Sequence, residues 1–155
     1  MPRTTAIDPT AWVDAAPFAA HLTHLASSTG LPWPVVAAYA GVSQRTAARL
    51  VLRRCRLRRI PRLTAQQIIA VRPSELAILR SRWVDAQPSC RRVADLVARG
   101  VPLALLARQL GCSPDLVARL ADGSPASIPA EVALRARVAS ETVDRASYAR
   151  VLRAA

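Results

Sequence analysis

The chain has 155 residues, enough for one compact domain or two small ones. Its 52% hydrophobic fraction holds only three Trp, two Tyr and one Phe, and its wealth of Ala, Leu and Val favours packed helices over a β-sandwich. All 22 basic residues are arginine, against ten acids. A GC-rich genome accounts for Arg over Lys but not for the net charge of +12, which implies a polyanionic partner, most simply nucleic acid.

In chain order, residues Met1 to Thr10 carry two prolines and no apolar period, so they are expected to form a loose arm. From Ala11, apolar residues at Trp12, Phe18, Leu22 and Leu25 predict a helix running to about Ser28, stopped by Gly30-Leu31-Pro32. A short helix follows over Trp33–Tyr39, then a turn at Ala40–Val42. Ser43 is suited to cap the next helix, Gln44 to about Arg54. The basic stretch from Cys55 to Leu63 contains Pro61 and reads as a connector. Further helices are expected at Thr64–Val71, Ser74–Ala86, Ser89–Arg99, Pro102–Leu110, Pro114–Ala121, Pro129–Ala139 and Glu141–Arg153. No period-2 segment exceeds four residues, so the expected fold class is all-α. The expected domains are an arm at 1–10, an N-terminal domain at 11–87 and a C-terminal domain at 88–155.

Shifting the sequence by 70 positions lays Leu31–Val51 over Val101–Ala121, with seven of 21 positions identical. The identities include Pro32/Pro102, Ala37/Ala107, Gly41/Gly111, Ser43/Ser113 and Leu50/Leu120. After a two-residue slip, Ile60-Pro61 echoes Ile128-Pro129. The paired Pro, Gly and Ser at fixed offsets predict an internal duplication.

Around Gly41, apolar or small residues stand at Val36, Ala37, Ala40, Val42, Ala47 and Leu50. Around Gly111 they stand at Leu106, Ala107, Leu110, Cys112, Val117 and Leu120. Each segment resembles the helix-turn-helix of bacterial and phage repressors, over about 20 residues per copy. The Gly30-Leu-Pro-Trp-Pro approach and the Ile-Pro-x-x-Thr-Ala continuation also resemble small actinobacterial and phage repressor domains. The resemblance implies that the second helix of the motif enters the major groove and reads bases near its N-terminus. In the first copy its outward positions are Ser43, Gln44, Arg45, Ala48, Arg49 and Leu52. Gln44 would match adenine, Arg45 or Arg49 would fork onto guanine, and Ser43 would meet a phosphate. In the second copy the same positions are Ser113, Pro114, Asp115, Ala118, Arg119 and Asp122. Arg119 is the only cation there, so this copy is expected to contact DNA weakly, to dimerise or to bind a protein.

Arg45, Arg49, Arg53, Arg54, Arg56, Arg58, Arg59 and Arg62 fall within 18 residues with no acid among them. Solvated faces normally mix signs, whereas eight uncompensated cations repel one another unless phosphates lie against them. Beyond the recognition helix, Arg56 to Arg62 would track the backbone or enter a minor groove.

The other candidates carry less chemistry. His21 and His24 share a helix face, but no further ligand completes a metal site. Cys112 falls at a core position of the motif. Cys55, among the arginines, is the thiol placed for a lowered pKa. Trp12, Trp33 and Trp83 are expected to pack between helices. Three scattered cysteines without C-x-x-C give no disulfide framework, and no leader or membrane span is apparent. No catalytic constellation, cofactor or metal is expected.

The expected function is that of a cytoplasmic, sequence-specific transcriptional regulator, a repressor, acting on double-stranded DNA. The alternatives are an accessory factor in recombination or transposition, and a sigma-like or antitoxin-like protein whose C-terminal half grips a protein partner. The tandem motifs suit either a monomer spanning two major-groove faces about 34 Å apart or a homodimer on a palindrome.

Overall fold

A computed structural model of the chain describes residues 11–52 and 57–154, with side chains as far as Ala146. Two compact units make up the chain, Met1–Pro73 and Ser74–Ala155. The described residues are mostly helical, with two small antiparallel sheets of two strands each. Among them, no helix is long and apolar enough to cross a membrane.

The first unit runs β1 (Trp12–Asp14), α1 (Ala16–Thr29), α2 (Trp33–Tyr39), α3 (Gln44–Val51), β2 (Arg59–Pro61) and α4 (Arg62–Ile69). The second opens with α5 (Pro73–Ala77) and a 3-10 turn at Ile78–Arg80. It then repeats the order of the first: β3 (Trp83–Asp85), α6 (Gln87–Ala98), α7 (Leu103–Leu110), α8 (Pro114–Ala121), β4 (Ser127–Pro129) and α9 (Ala130–Ala154). The strand registers coincide as well. Trp12, Val13 and Asp14 face Pro61, Ile60 and Arg59, while Trp83, Val84 and Asp85 face Pro129, Ile128 and Ser127.

Local chemistry explains the match. Both units carry Trp-Val-Asp-Ala-x-Pro at the end of the first strand. The Asp side chain ends the strand by accepting an N–H of the following helix, from Ala16 to Asp14 Oδ1 at 3.1 Å and from Gln87 to Asp85 Oδ1 at 3.0 Å. Pro17 and Pro88 occupy the first turn, where no N–H partner is needed. Behind this frame each unit buries the same set of positions. Leu22, Leu25, Val36, Ala47, Leu50 and Ile60 in the first unit answer to Val93, Leu96, Leu106, Val117, Leu120 and Ile128 in the second. Each fully buried aliphatic side chain contributes roughly 1.5–3 kcal/mol.

The mostly helical content agrees with the expected all-α class, and the two small sheets are an addition to it. Several finer expectations need correction. Three-residue strands are too short to show a period, and each finds its partner more than forty residues away in sequence. Consequently the first helix starts at Ala16 rather than Ala11, and Arg59–Pro61, within the stretch expected to be a loop or an extended connector, is a strand. The helix expected over Ser74–Ala86 ends at Ala77, gives way to a 3-10 turn and then becomes β3. Because β3 pairs with β4, residues 74–87 pack with the second unit, and the division falls after Pro73 rather than after Gln87. The break expected at Ser140 is absent. There Arg137 Nε reaches Glu141 Oε1 at 3.0 Å, the Thr142 hydroxyl donates to the Val138 carbonyl, and α9 continues. The expected arm at 1–10 lies outside the described residues.

The second unit also contains its own counter-charges. Glu131, 8% exposed, accepts from Arg80 Nε at 2.8 Å and from Arg135 Nε and NH2 at 3.0 and 2.8 Å. Arg99 bridges Asp95 on α6 and Asp144 on α9. Burial opposes ionisation of Glu131, but the hydrogen bonds from Arg80 and Arg135 outweigh it and hold the carboxyl below its ordinary range. A carboxyl depressed in the folded state stabilises the fold above its unfolded pKa and loses that contribution as pH falls through the folded value. Glu131→Gln should therefore lower stability at neutral pH and flatten its decline below about pH 4.5, as read by urea unfolding across pH. Identical pH profiles for variant and parent would refute this role.

Candidate nucleic-acid interface

The two short helices α2 and α3 meet across a tight turn. Gly41 sits at φ +76, a conformation that side-chain-bearing residues rarely adopt, and the Val42 N–H returns to the Ala37 carbonyl at 2.9 Å. Ala37 and Ala47 are fully buried, so small side chains let the helices close on one another. A Cβ added at Gly41 would lie 3.6 Å from Gln67 Nε2 of α4, which covers the turn. The corresponding turn of the second unit has Gly111 at φ +67, and there the covering group is the Arg135 guanidinium of α9.

At the start of α3, Ser43 Oγ accepts the Thr46 N–H at 3.2 Å, and its hydroxyl donates to Thr46 Oγ1 at 2.9 Å. The Ser43 side chain is thus occupied in capping the helix, although it remains exposed. Gln44 departs further from expectation. It is 4% exposed, and its Nε2 donates to the Pro34 carbonyl of α2 at 2.7 Å. The side chain expected to read adenine instead ties α3 to α2, inside the unit. Gln44→Ala should cost about 1–2 kcal/mol of stability by removing this bond, measured by urea unfolding. An unchanged unfolding midpoint would return the amide to the outer face.

What α3 presents outward is arginine. Arg45 and Arg49 are exposed one turn apart, while Ala47 and Leu50 face the core. The helix ends at Leu52, which turns to extended backbone and leaves its own side chain 51% exposed. Arg53, Arg54, Cys55 and Arg56 lie outside the described residues. Where the chain resumes, the Leu57 N–H donates to the Arg49 carbonyl at 3.1 Å, so the connector returns alongside the last turn of α3. Arg58 and Arg59 follow, both exposed. Arg59 NH2 donates to the Trp12 carbonyl at 2.7 Å, while the Arg58 carbonyl takes the Ala15 N–H at 2.9 Å. Arg62, half-buried, begins α4. The structure thus brings Arg45, Arg49, Arg58 and Arg59 to the surface of α3 and its connector, and withdraws Gln44.

Electrostatics separates the two units. The first holds ten arginines and two aspartates in sequence, Asp8 and Asp14, a formal excess of +8. Asp14 is engaged at the start of α1. Among the described residues, no salt bridge involves Arg45, Arg49, Arg58, Arg59 or Arg62. The second unit holds twelve arginines and eight acids, an excess of +4, and contains every ion pair just described. On α8, Ser113 caps the Leu116 N–H at 3.2 Å and Pro114 stands at N1, where Gln44 stands in α3. Arg119 is exposed between exposed Asp115 and Asp122. The connector that follows α8 turns at Gly123 and carries no arginine.

A groove of about 980 Å³ runs between α1 and the end of α3, its walls including Ala16, Ala20, Thr23, Leu50 and Arg58. His24 and Asp14 both line it, and among the described residues no three His, Cys, Asp or Glu side chains gather to hold a metal. Burial raises the pKa of the Cys90 and Cys112 thiols. Sequence reasoning missed the exposed Trp12 and Trp83, expected between helices but 56% and 63% exposed. The signal for them was present in the repeated Trp-Val-Asp-Ala-x-Pro, which stands 71 positions apart, well upstream of the segment aligned at 70. No protein-family model, no curated protein and no solved structure matches the chain.

Proposed function

We propose that the chain is a double-stranded-DNA-binding regulator built from two duplicated helix-turn-helix modules, of which the first reads sequence. In this reading α3 enters the major groove with Arg45 and Arg49 toward base edges. Arg58 and Arg59, carried beside it by the returning connector, lie against the phosphate backbone. The observation that carries the proposal is this uncompensated arginine surface, in a unit with ten arginines and two acids. Cations held together without counter-charges favour a partner that supplies them, and a helix presenting two arginines one turn apart fits a groove rich in guanine acceptors.

The second module keeps the buried positions and strand register of the first but presents Asp115 and Asp122 where phosphates would lie. Its helix α8 therefore stays out of the groove. A protein occupying a promoter in this way blocks polymerase, which makes repression the simplest regulatory outcome. The test is titration of a fluorescein-labelled duplex by the whole chain at increasing salt. Affinity should fall linearly on a log–log scale, by about 0.9 for each phosphate neutralised. Absence of binding at low salt, or equal competition by unrelated single-stranded RNA, would overturn the reading.

A further inference from the structure

Surface positions diverge between the two units, as they should where packing does not constrain them. Arg45 is answered by Asp115, His24 by Asp95 and Arg59 by Ser127. Arg49/Arg119 and Asp14/Asp85 stay identical and exposed, but among the large hydrophobic side chains left exposed only one recurs: the tryptophan that opens the first strand, Trp12 in one unit and Trp83 in the other, each more than half exposed. Leaving an indole in water twice, at the same strand position, forgoes the burial energy that places most tryptophans inside. The inward side chains of the strand pair are Val13 and Val84, facing buried Ile60 and Ile128, while the indoles stand on the outer side opposite Pro61 and Pro129.

Each indole stands opposite a proline, Pro61 or Pro129, and the exposed residues around that pair are mainly polar. Arg59 bonds the Trp12 carbonyl, with exposed Arg58 next in sequence. Exposed Arg82 precedes Trp83, and the other exposed residues of its strand pair are Asp85 and Ser127. The one acid on each Trp strand is engaged, since Asp14 and Asp85 each accept an N–H at the start of the following helix. A protein-docking anchor would sit within an apolar patch. An exposed indole on a strand that carries an exposed arginine beside it, Arg59 against the Trp12 carbonyl and Arg82 next to Trp83 in sequence, suits a sugar–phosphate chain, the N–H donating to a phosphate oxygen and the ring lying on the deoxyribose.

We propose that Trp12 and Trp83 are equivalent contacts to the DNA backbone, so that the second unit holds DNA by its strand pair rather than by α8. This rests on the DNA-binding reading above and extends it to the unit whose recognition helix lacks the charge for it.

The experiment uses the whole chain and a labelled random-sequence duplex. Trp12→Ala and Trp83→Ala should each weaken binding about fivefold, the worth of one hydrogen bond. The double variant should lose roughly the product of the two, because the residues share no partner. Thermal unfolding should be unchanged, since both side chains are exposed. In a Trp12→Phe, Trp33→Phe background, Trp83 fluorescence should respond to saturating duplex. A double variant that binds as tightly as the parent overturns this inference while leaving the DNA-binding reading intact. So does a double variant whose only change is a smaller assembly in sedimentation, which would give the indoles to a second copy. If the parent chain fails to bind any duplex, the underlying reading fails and this inference with it.

Discussion

Replacing Arg45 and Arg49 together by alanine is expected to abolish discrimination between the cognate site and random DNA while leaving weak general binding. The two side chains are exposed one turn apart on α3, clear of the core positions Ala47 and Leu50, so the fold should be unaffected. A bidentate arginine–guanine contact supplies about 1–3 kcal/mol of discrimination, so two such contacts account for about 2–6 kcal/mol. Residual binding should persist through Arg58, Arg59 and the rest of the basic unit. The measurement is the ratio of dissociation constants for selected and scrambled duplexes. A ratio unchanged by the double substitution would remove α3 from the groove.

The second large effect concerns the backbone contacts. Arg58→Ala with Arg59→Ala should weaken binding to every sequence alike and flatten the salt dependence by about 0.9 for each phosphate contact removed. These residues follow the point where the Leu57 N–H meets the Arg49 carbonyl, so they lie along the same side of the unit as the end of α3. The Arg59 guanidinium also bonds the Trp12 carbonyl, so its loss should loosen β1 slightly, and stability must be measured alongside affinity. The two double variants should separate cleanly, with specificity lost in the first and the salt slope reduced in the second. An unchanged slope would place Arg58 and Arg59 toward solvent.

Helix positions were legible in the sequence wherever a local signal sufficed. Gly41 and Gly111 with their apolar neighbours located both turns, because a tight turn between short helices depends on residues within a few positions of one another. Ser43 was legible as a cap for the same reason. The strands were not, since Trp12–Asp14 is stabilised by Arg59–Pro61, and three residues carry no readable period. Reading Trp12 as the start of a helix's apolar face followed directly from missing its strand.

The candidate site was legible in its charge and not in its orientation. Eight arginines without an acid can be counted in the sequence; of the described ones Arg45, Arg49, Arg58 and Arg59 reach the surface and Arg62 is half-buried. Gln44 could not be placed that way. A glutamine in the first turn of a helix points outward or inward according to what it meets, and here it meets the Pro34 carbonyl. The proposed reading surface is thereby reduced to arginines, which predicts guanine contacts and gives no reason to expect a fixed adenine. The asymmetry between units was visible in sequence at Asp115 and Asp122, and the ion pairs of Glu131, Arg99 and Arg137 place its counterpart within the second unit.

The most direct test of the central claim is selection of duplexes bound by the whole chain from a random pool, followed by footprinting of the enriched sequence. The account predicts a short enriched motif containing guanine, protected in its major groove, and lost when Arg45 and Arg49 are replaced. Enrichment of no motif, or of one that survives both replacements, would contradict it.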